Sequence, residues 1–305
     1  MIDDDVRRAH EQNRIAWNDA AAAYTATDRQ RADFLRGGGI SLHPIETAAL
    51  GELGTWCARA VHLQCASGRD TLSLLNAGVG QVVGVDISDV HIANAERTTA
   101  DLGWGDRVRW FRCDVLDTPA ELDGTADLVY TGRGALVWLH DLDAWARVVA
   151  RLLRPGGVFH VFDDHPAAFL FDQDSPGLAP SGVDYFHHAE IHRGWTPQYI
   201  GDLGRPAEEH PEKYERVWTI AQVFGALTGA GVVVDRLGEH PDEYWQAFPK
   251  LPEQVRRRLP MTFSLRAHRP PRDPRSPGAV AGTGGTAPVV AGDGPASGVG
   301  RVHRG

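Results

Sequence analysis

Two aspartates end apolar stretches of strand character: Asp86 closes "QVVGVD" and Asp114 follows "VRWFRC". In an open α/β sheet, ligands bind outside the carboxyl ends of the strands, which is where both carboxylates would stand. Asp86 comes about twenty residues after the loop "QCASGRDT", a spacing at which it can accept hydrogen bonds from both hydroxyls of a ribose. A charge-assisted bond of that kind is worth roughly 1.5–3 kcal/mol. Asp114 can accept from an exocyclic amine such as that of adenine, or can simply cap the turn that follows it. The same crevice should take in Gln64, Cys65, Ala66, Gly68, Asp70 and Thr71 after the first strand, Ile87 and Ser88 beside Asp86, and Val115 beside Asp114. Thr131 and Gly132 follow the fourth strand and either join the site or form only a turn. Together these positions suit an adenosine, although an acid after a second strand also marks NAD-binding folds.

Composition narrows the classes. The chain has 305 residues, 42% of them hydrophobic, enough for a substantial core. A formal net charge of -9 argues against a phosphate-binding surface, which needs clustered Lys and Arg, so a small ligand is expected rather than a nucleic acid. Three cysteines, Cys57, Cys65 and Cys113, form no CxxC pair and support neither a disulfide framework nor a metal site. Apolar runs are broken by charge before they could span a membrane, and the acidic start "MIDDDVRRAH" is unlike a secretory leader; a cytoplasmic protein is expected.

The elements that would position the site alternate along the chain. "VRRAHEQNRIAWNDAAAAY" and "IETAALGEL" read as helices of an N-terminal cap over residues 1–50. The main domain, 51–269, then runs through the strand "RAVHLQC", the helix "DTLSLLNAG", the strand "QVVGVDIS", the helix "DVHIANAERTTADLG" and the strands "VRWFRCDV" and "ADLVYTG". "DLDAWARVVARLL" sets Leu142, Trp145, Val148, Val149 and Leu152 on one helix face, stops at "RPGG", and leads to the strand "GVFHVFD". Five such strands separated by helices predict an α/β fold with a mostly parallel sheet covered on both faces. A lid insertion over 163–216 follows, then the helix "YERVWTIAQVFGALTGAG" and the strands "VVVDRLGE" and "MTFSLRAHR". From 270 to 305 Gly, Pro, Ala and Ser dominate, and a disordered tail is expected.

Over residues 40–165, and more weakly to 269, this arrangement resembles the class I S-adenosylmethionine-dependent methyltransferases, and in "HLQC…GRDTLSL…VVGVDIS" a bacterial subgroup acting on small molecules. "VVGVDIS" matches the family's ribose-binding acid, "RCDV" its adenine-side acid, and "ARLLRPGGVFHV" its helix, turn and fifth strand. The resemblance implies a Rossmann-like three-layer αβα sandwich, with a seven-stranded, mostly parallel sheet whose last strand is antiparallel, and S-adenosylmethionine as cofactor. The family's loop commonly reads acid-x-Gly-x-Gly-x-Gly; here His62, Gln64, Ala66 and Gly68 stand at those positions. His62 therefore leaves open what holds the cofactor's amino group. Gln64 must point away or donate to its carboxylate, for which loop amides and a helix start capped by Asp70 are available.

Methyl transfer to an oxygen or nitrogen often needs a base, and His is the natural one near neutral pH. Among fourteen His, the candidates are His140 in "LVWLHDLD", His165 in "FDDHP", and His188 in "YFHHAEIH", each also readable as structural. His188 and His192 would share a helix face, but no third ligand is spaced to make a metal site, and none is expected. Trp17 and Tyr24, with Tyr185, Phe186 and Trp195, could close an aromatic lid over cofactor and acceptor. The expected activity is methyl transfer to a small organic molecule such as a secondary metabolite. A non-catalytic regulator or scaffold of the same fold and an NAD-dependent oxidoreductase are the alternatives.

Overall fold

A computed structural model describes residues 2–271. The expected tail lies, beyond residue 271, outside the described residues.

Helix α1 (Asp4–Thr25) starts at Asp3, whose carboxylate accepts the Asp5 N–H. Helix α2 (Asp28–Arg36) was not expected: "DRQRADFLR" buries only Arg31, Ala32 and Leu35, too little for a clear apolar stripe. Helix α3 (Pro44–Leu50) opens with a capping box between His43 and Glu46. Then follow β1 (Arg59–Leu63), α4 (Arg69–Asn76), β2 (Gln81–Asp86), α5 (Asp89–Leu102), β3 (Val108–Arg112), β4 (Ala126–Gly132), α6 (Leu142–Leu152) and β5 (Leu153–Asp164). The insertion holds β6 (Ala189–His192), the single turn α7 (Pro197–Ile200) and β7 (Lys213–Arg216). Helix α8 (Ile220–Gly229), β8 (Val233–His240), the short α9 (Glu253–Arg256) and β9 (Thr262–His268) complete the order.

The helix expected from Tyr214 therefore starts six residues later, at Ile220. Thr219 caps it and Gln222 returns the bond, a box that fixes the first turn, while Lys213–Arg216 pairs antiparallel with Ala189–His192. His192 is consequently on a strand, and the helical spacing assumed for His188 and His192 does not apply.

The main sheet has seven strands in the order β3-β2-β1-β4-β5-β9-β8. β1 pairs parallel with both β2 and β4, β2 with β3, and β4 with β5. The last strand in sequence, β9, is antiparallel to β5 and β8 and lies between them. Strand order reverses between β1 and β4, which opens a crevice at their carboxyl ends. Side chains alternate across β1: Val61 and Leu63 join a core with Trp145 and Leu152 of α6 and Leu227 of α8, while Ala60 joins the opposite core with Leu72 and Leu74 of α4 and Leu50 of α3. All five apolar residues expected on the α6 face are buried. The Trp145 ring meets Phe159 of β5 edge-on at 5.5 Å. Helix α1 packs on α5 and β7.

The loop from β1 into α4 is held by its neighbours. Gly68 sits at φ 76°, and a Cβ there would run into the indole of Trp110, which also lies over Gly84. Gly68→Ala should therefore lower stability by about 2–4 kcal/mol, the sum of a left-handed non-glycine residue and overpacking, measured by urea denaturation. An unchanged midpoint would contradict this close approach.

Candidate active site

Three residues of the first loop adopt left-handed backbone: Gln64 (φ 58°), Ala66 (φ 45°) and Gly68. For the two non-glycines this costs roughly 1–2 kcal/mol each, and hydrogen bonds hold them there. Gln64 turns away from the loop and donates its amide to the Ala135 carbonyl at 2.7 Å. The Ala66 N–H donates to Asp86 Oδ2 at 2.8 Å, and Ser88 N–H to Oδ1 at 2.9 Å. Each Asp86 oxygen keeps lone-pair capacity for a ligand. Burial pushes the Asp86 carboxyl up to about 6, with the backbone donors pulling the other way.

Asp114 caps the turn that follows it, the second of its two readings. Its Oδ1 accepts Leu116 N–H and caps the turn Val115–Asp117, while Oδ2 lies 2.8 Å from His10 Nδ1 and the carboxylate faces the crevice. The His140 N–H donates to His10 Nε2, so the Nδ1–H is the one that reaches Asp114. Helix α1 is thereby fastened to the third strand end.

At the other end of the crevice the charges are distributed differently from the family's loop pattern. His62 is buried, with Nδ1 2.7 Å from Thr71 Oγ1, and burial pushes its imidazole down to about 3, so it is neutral. Asp70 is not the cap of α4; Gly68 occupies that position. The Asp70 carboxylate instead accepts from Ser41 and pairs with Arg133, whose guanidinium also donates to the Ser41 carbonyl at 2.9 Å. The Asp70 carboxyl is desolvated, which raises it, yet Arg133 and Ser41 hold it below its ordinary range. Arg133, itself at φ 58°, went unnoticed in the sequence although it directly follows Gly132. Behind it, Asp163 at the end of β5 accepts the N–H groups of Gly134 (2.5 Å), Ala135 (3.1 Å) and Leu136 (2.9 Å).

These groups line a cavity of about 210 Å³. Gln64, Cys65, Ala66, Asp70, Asp86, Ile87, Asp114, Val115, Gly132 and Trp17 face it, as expected, together with the unexpected His10, His62, Arg133 and Tyr199. Gly68, Thr71 and Ser88 support it from behind: Ser88 caps α5, and Thr71 holds His62. The Thr131 hydroxyl donates to the Leu63 carbonyl, and Tyr24 packs edge-on against His91. A second cavity of about 440 Å³ abuts the first and shares Gly134, Trp138 and Tyr199 with it. Trp195, Trp245, Phe169, Phe171, Asp164, Lys213 and Glu215 face the second cavity. Trp17 contacts Trp138 and Trp195 at 5.2 and 4.7 Å, so one aromatic group bridges the two spaces.

The three candidate bases line neither cavity. His165 caps the turn Pro166–Leu170, accepting from Ala167 at Nδ1, and its Nε2 reaches Glu239 at 2.8 Å. His140 approaches the Tyr214 carbonyl at 3.2 Å, and His188 lies 3.4 Å from Glu190. Tyr185 and Phe186 pack on each other outside both cavities, with Phe186 66% exposed.

Residues 60–157 match the family model described as "Methyltransferase domain". Over that stretch, about a third of its length, the chain is similar to this methyltransferase family. Two solved structures share the fold of this chain. An S-adenosylmethionine-dependent methyltransferase from Mesorhizobium loti is 23% identical, with 76% of this chain and 99% of that one covered at a TM-score of 0.50. A structure from Listeria monocytogenes assigned to the same activity is 20% identical, with 70% and 90% covered at 0.51. No curated protein sequence matches. No helix among the described residues is long and apolar enough to cross a membrane.

The cavity fits the chemistry of S-adenosylmethionine. Arg133 Nε is buried without a hydrogen-bond partner among the described residues, 3.8 Å from the Glu46 carboxylate, and Asp70 carries a negative charge beside the guanidinium, a pair suited to a zwitterion. Asp86 offers acceptors to hydroxyls. Because a protonated Asp86 loses acceptor capacity, affinity for S-adenosylhomocysteine should fall about tenfold as pH drops from 7 to 5, through the raised Asp86 value. Asp86→Asn should bind about ten- to hundredfold more weakly with that pH dependence gone, as read by calorimetric titration. A variant binding like the parent would remove Asp86 from the site.

Proposed function

We propose that the protein moves the methyl group of S-adenosylmethionine to an oxygen or nitrogen atom of a small organic molecule. The observation that carries this reading is the second, aromatic-walled cavity, which meets the first across Gly134, Trp138 and Tyr199. Bound S-adenosylmethionine supplies a methyl carbon made electrophilic by its sulfonium.

The chain's own residues bind, align and exclude water. Asp86 accepts the ribose hydroxyls, and Asp114, oriented by His10, meets the adenine side. Arg133 and Asp70 take the carboxylate and amino group of the methionine end. Trp17, Trp138 and Trp195 offer ring faces to a cation and keep water from the transfer path. Alignment of nucleophile and methyl carbon then contributes the largest share of the rate, as it does for displacements between held partners. A net charge of -9 disfavours a nucleic-acid acceptor, and a cavity of about 440 Å³ suits a molecule of modest size.

The test is to incubate the purified protein with methyl-labelled S-adenosylmethionine and cell extract, then separate nucleic acid, protein and small molecules. Label should appear in a small molecule that separates from S-adenosylmethionine by chromatography. Label confined to macromolecules would overturn the acceptor class. Calorimetric binding of NAD in place of S-adenosylhomocysteine would favour an oxidoreductase, and binding of neither would favour a non-catalytic scaffold.

A further inference from the structure

The second cavity has a charge pattern that the methyl-transfer reading does not use. Its walls are the rings of Trp138, Trp195, Trp245, Tyr199, Phe169 and Phe171. One ammonium is already held there: Lys213 Nζ lies 4.4 Å from the Trp195 ring centre and 5.5 Å from that of Trp138, and pairs with Glu215 at 2.9 Å. Lys213 and Glu215 neutralise one another, and His192 Nε2 is 3.2 Å from the same carboxylate oxygen. Of the other carboxylates on its wall, Asp172 and Asp174 are exposed to solvent and Asp174 pairs with Lys250 at 3.2 Å, which leaves Asp164, the last residue of β5, as the more enclosed one.

Asp164 Oδ2 accepts the Tyr244 hydroxyl at 2.5 Å and Oδ1 the Trp245 Nε1–H at 3.1 Å. Two donors leave each oxygen a further lone pair. Its neighbour Asp163 is spent on the backbone of 134–136, whereas Asp164 looks into the cavity. Gly134, where the two cavities meet, is the link: a Cβ there would stand 2.6 Å from Tyr199 Oη and 3.5 Å from Tyr244 Oη. The carboxylate, its tyrosine partner and the shared wall are thus in one place.

We propose that the acceptor is an amine, bound in this cavity as an organic ammonium ion, and that Asp164 takes the proton from its nitrogen before methyl transfer. The proposal rests on the methyl-transfer reading. The N–H bond breaks and its proton forms an O–H bond on Asp164, which leaves the nitrogen lone pair free. That pair forms the N–C bond as the C–S bond breaks with its electrons on sulfur, giving a methylated ammonium and S-adenosylhomocysteine. Asp164 then returns its proton to solvent. The groups facing Asp164 are Asp163 on its own strand, Tyr244, Tyr199, Glu215 and, across the cavity, Lys213. Burial first, and the Asp163 charge second, push its carboxyl up to about 7, where it can both accept and release a proton.

The experiment needs no turnover. The protein without cofactor is titrated calorimetrically with dimethylamine, phenethylamine and tryptamine, against 2-phenylethanol and phenylacetate, at pH 6 and pH 8. All three amines stay protonated over that range, so ionisation of Asp164 should tighten at least one of them about tenfold from pH 6 to pH 8. Asp164→Asn should abolish that gain, and Tyr244→Phe, which removes a donor to the carboxylate, should move it to higher pH. Thermal unfolding of each variant checks that it is folded. Equal or tighter binding of the alcohol or the acid, no binding by any amine, or an unchanged pH gain in Asp164→Asn overturns the proposal. S-adenosylhomocysteine is titrated alongside: if it binds while the amines do not, only the acceptor assignment fails.

Discussion

The buried carboxylate of Asp163 is the interaction on which the arrangement of the site depends. An unpaired charge at that depth would cost several kcal/mol, and it persists because the N–H groups of Gly134, Ala135, Leu136 and Asp164 all point at it. The first three of those amides belong to the turn where the two cavities meet. Ala135 carries the linkage further: its N–H is held by Asp163 of β5, and its carbonyl accepts the side chain of Gln64 after β1. One residue therefore sets the register between three strand ends, and Gln64, where a glycine is common, is the means of doing so.

The sheet was readable because each strand is a short apolar run bounded by breakers, and because α6 repeats Leu142, Trp145, Val149 and Leu152 on one face. Asp86 and Asp114 were readable because strand ends are the only places where carboxylates of that spacing face a crevice. Other features depend on contacts distant in sequence. Nothing local distinguishes Arg133 from a surface arginine; its partners Ser41 and Asp70 lie 92 and 63 positions away. His10 was an ordinary helix residue until α1 brought it to Asp114. Tyr214 belongs to a strand because Ala189–His192 supplies its partner, and no pattern in "KYER" announces that pairing. His165 attracted notice by its place after β5, but that position made it the cap of the next turn.

The methionine end of the crevice illustrates substitution in space rather than in sequence. At His62 the chain lacks an acid, and burial keeps the imidazole uncharged. A carboxylate nevertheless faces the same cavity from Asp70, within the first turn of α4, balanced by Arg133 from the opposite loop. A carboxylate is kept in the cavity although the position that carries it has moved, and it comes with a cation of its own.

The insertion also divides the molecule in another sense. Between residues 165 and 216, only Tyr199 faces the first cavity, whereas most of the second cavity's wall comes from that stretch, including Phe169, Trp195, Lys213 and Glu215. The walls of the two cavities are thus written largely in separate lengths of gene, with Trp138, Asp164 and Trp245 among the parts of the second wall that the main domain supplies. Recombination that exchanges this cassette would reshape the second cavity while sparing nearly all of the first.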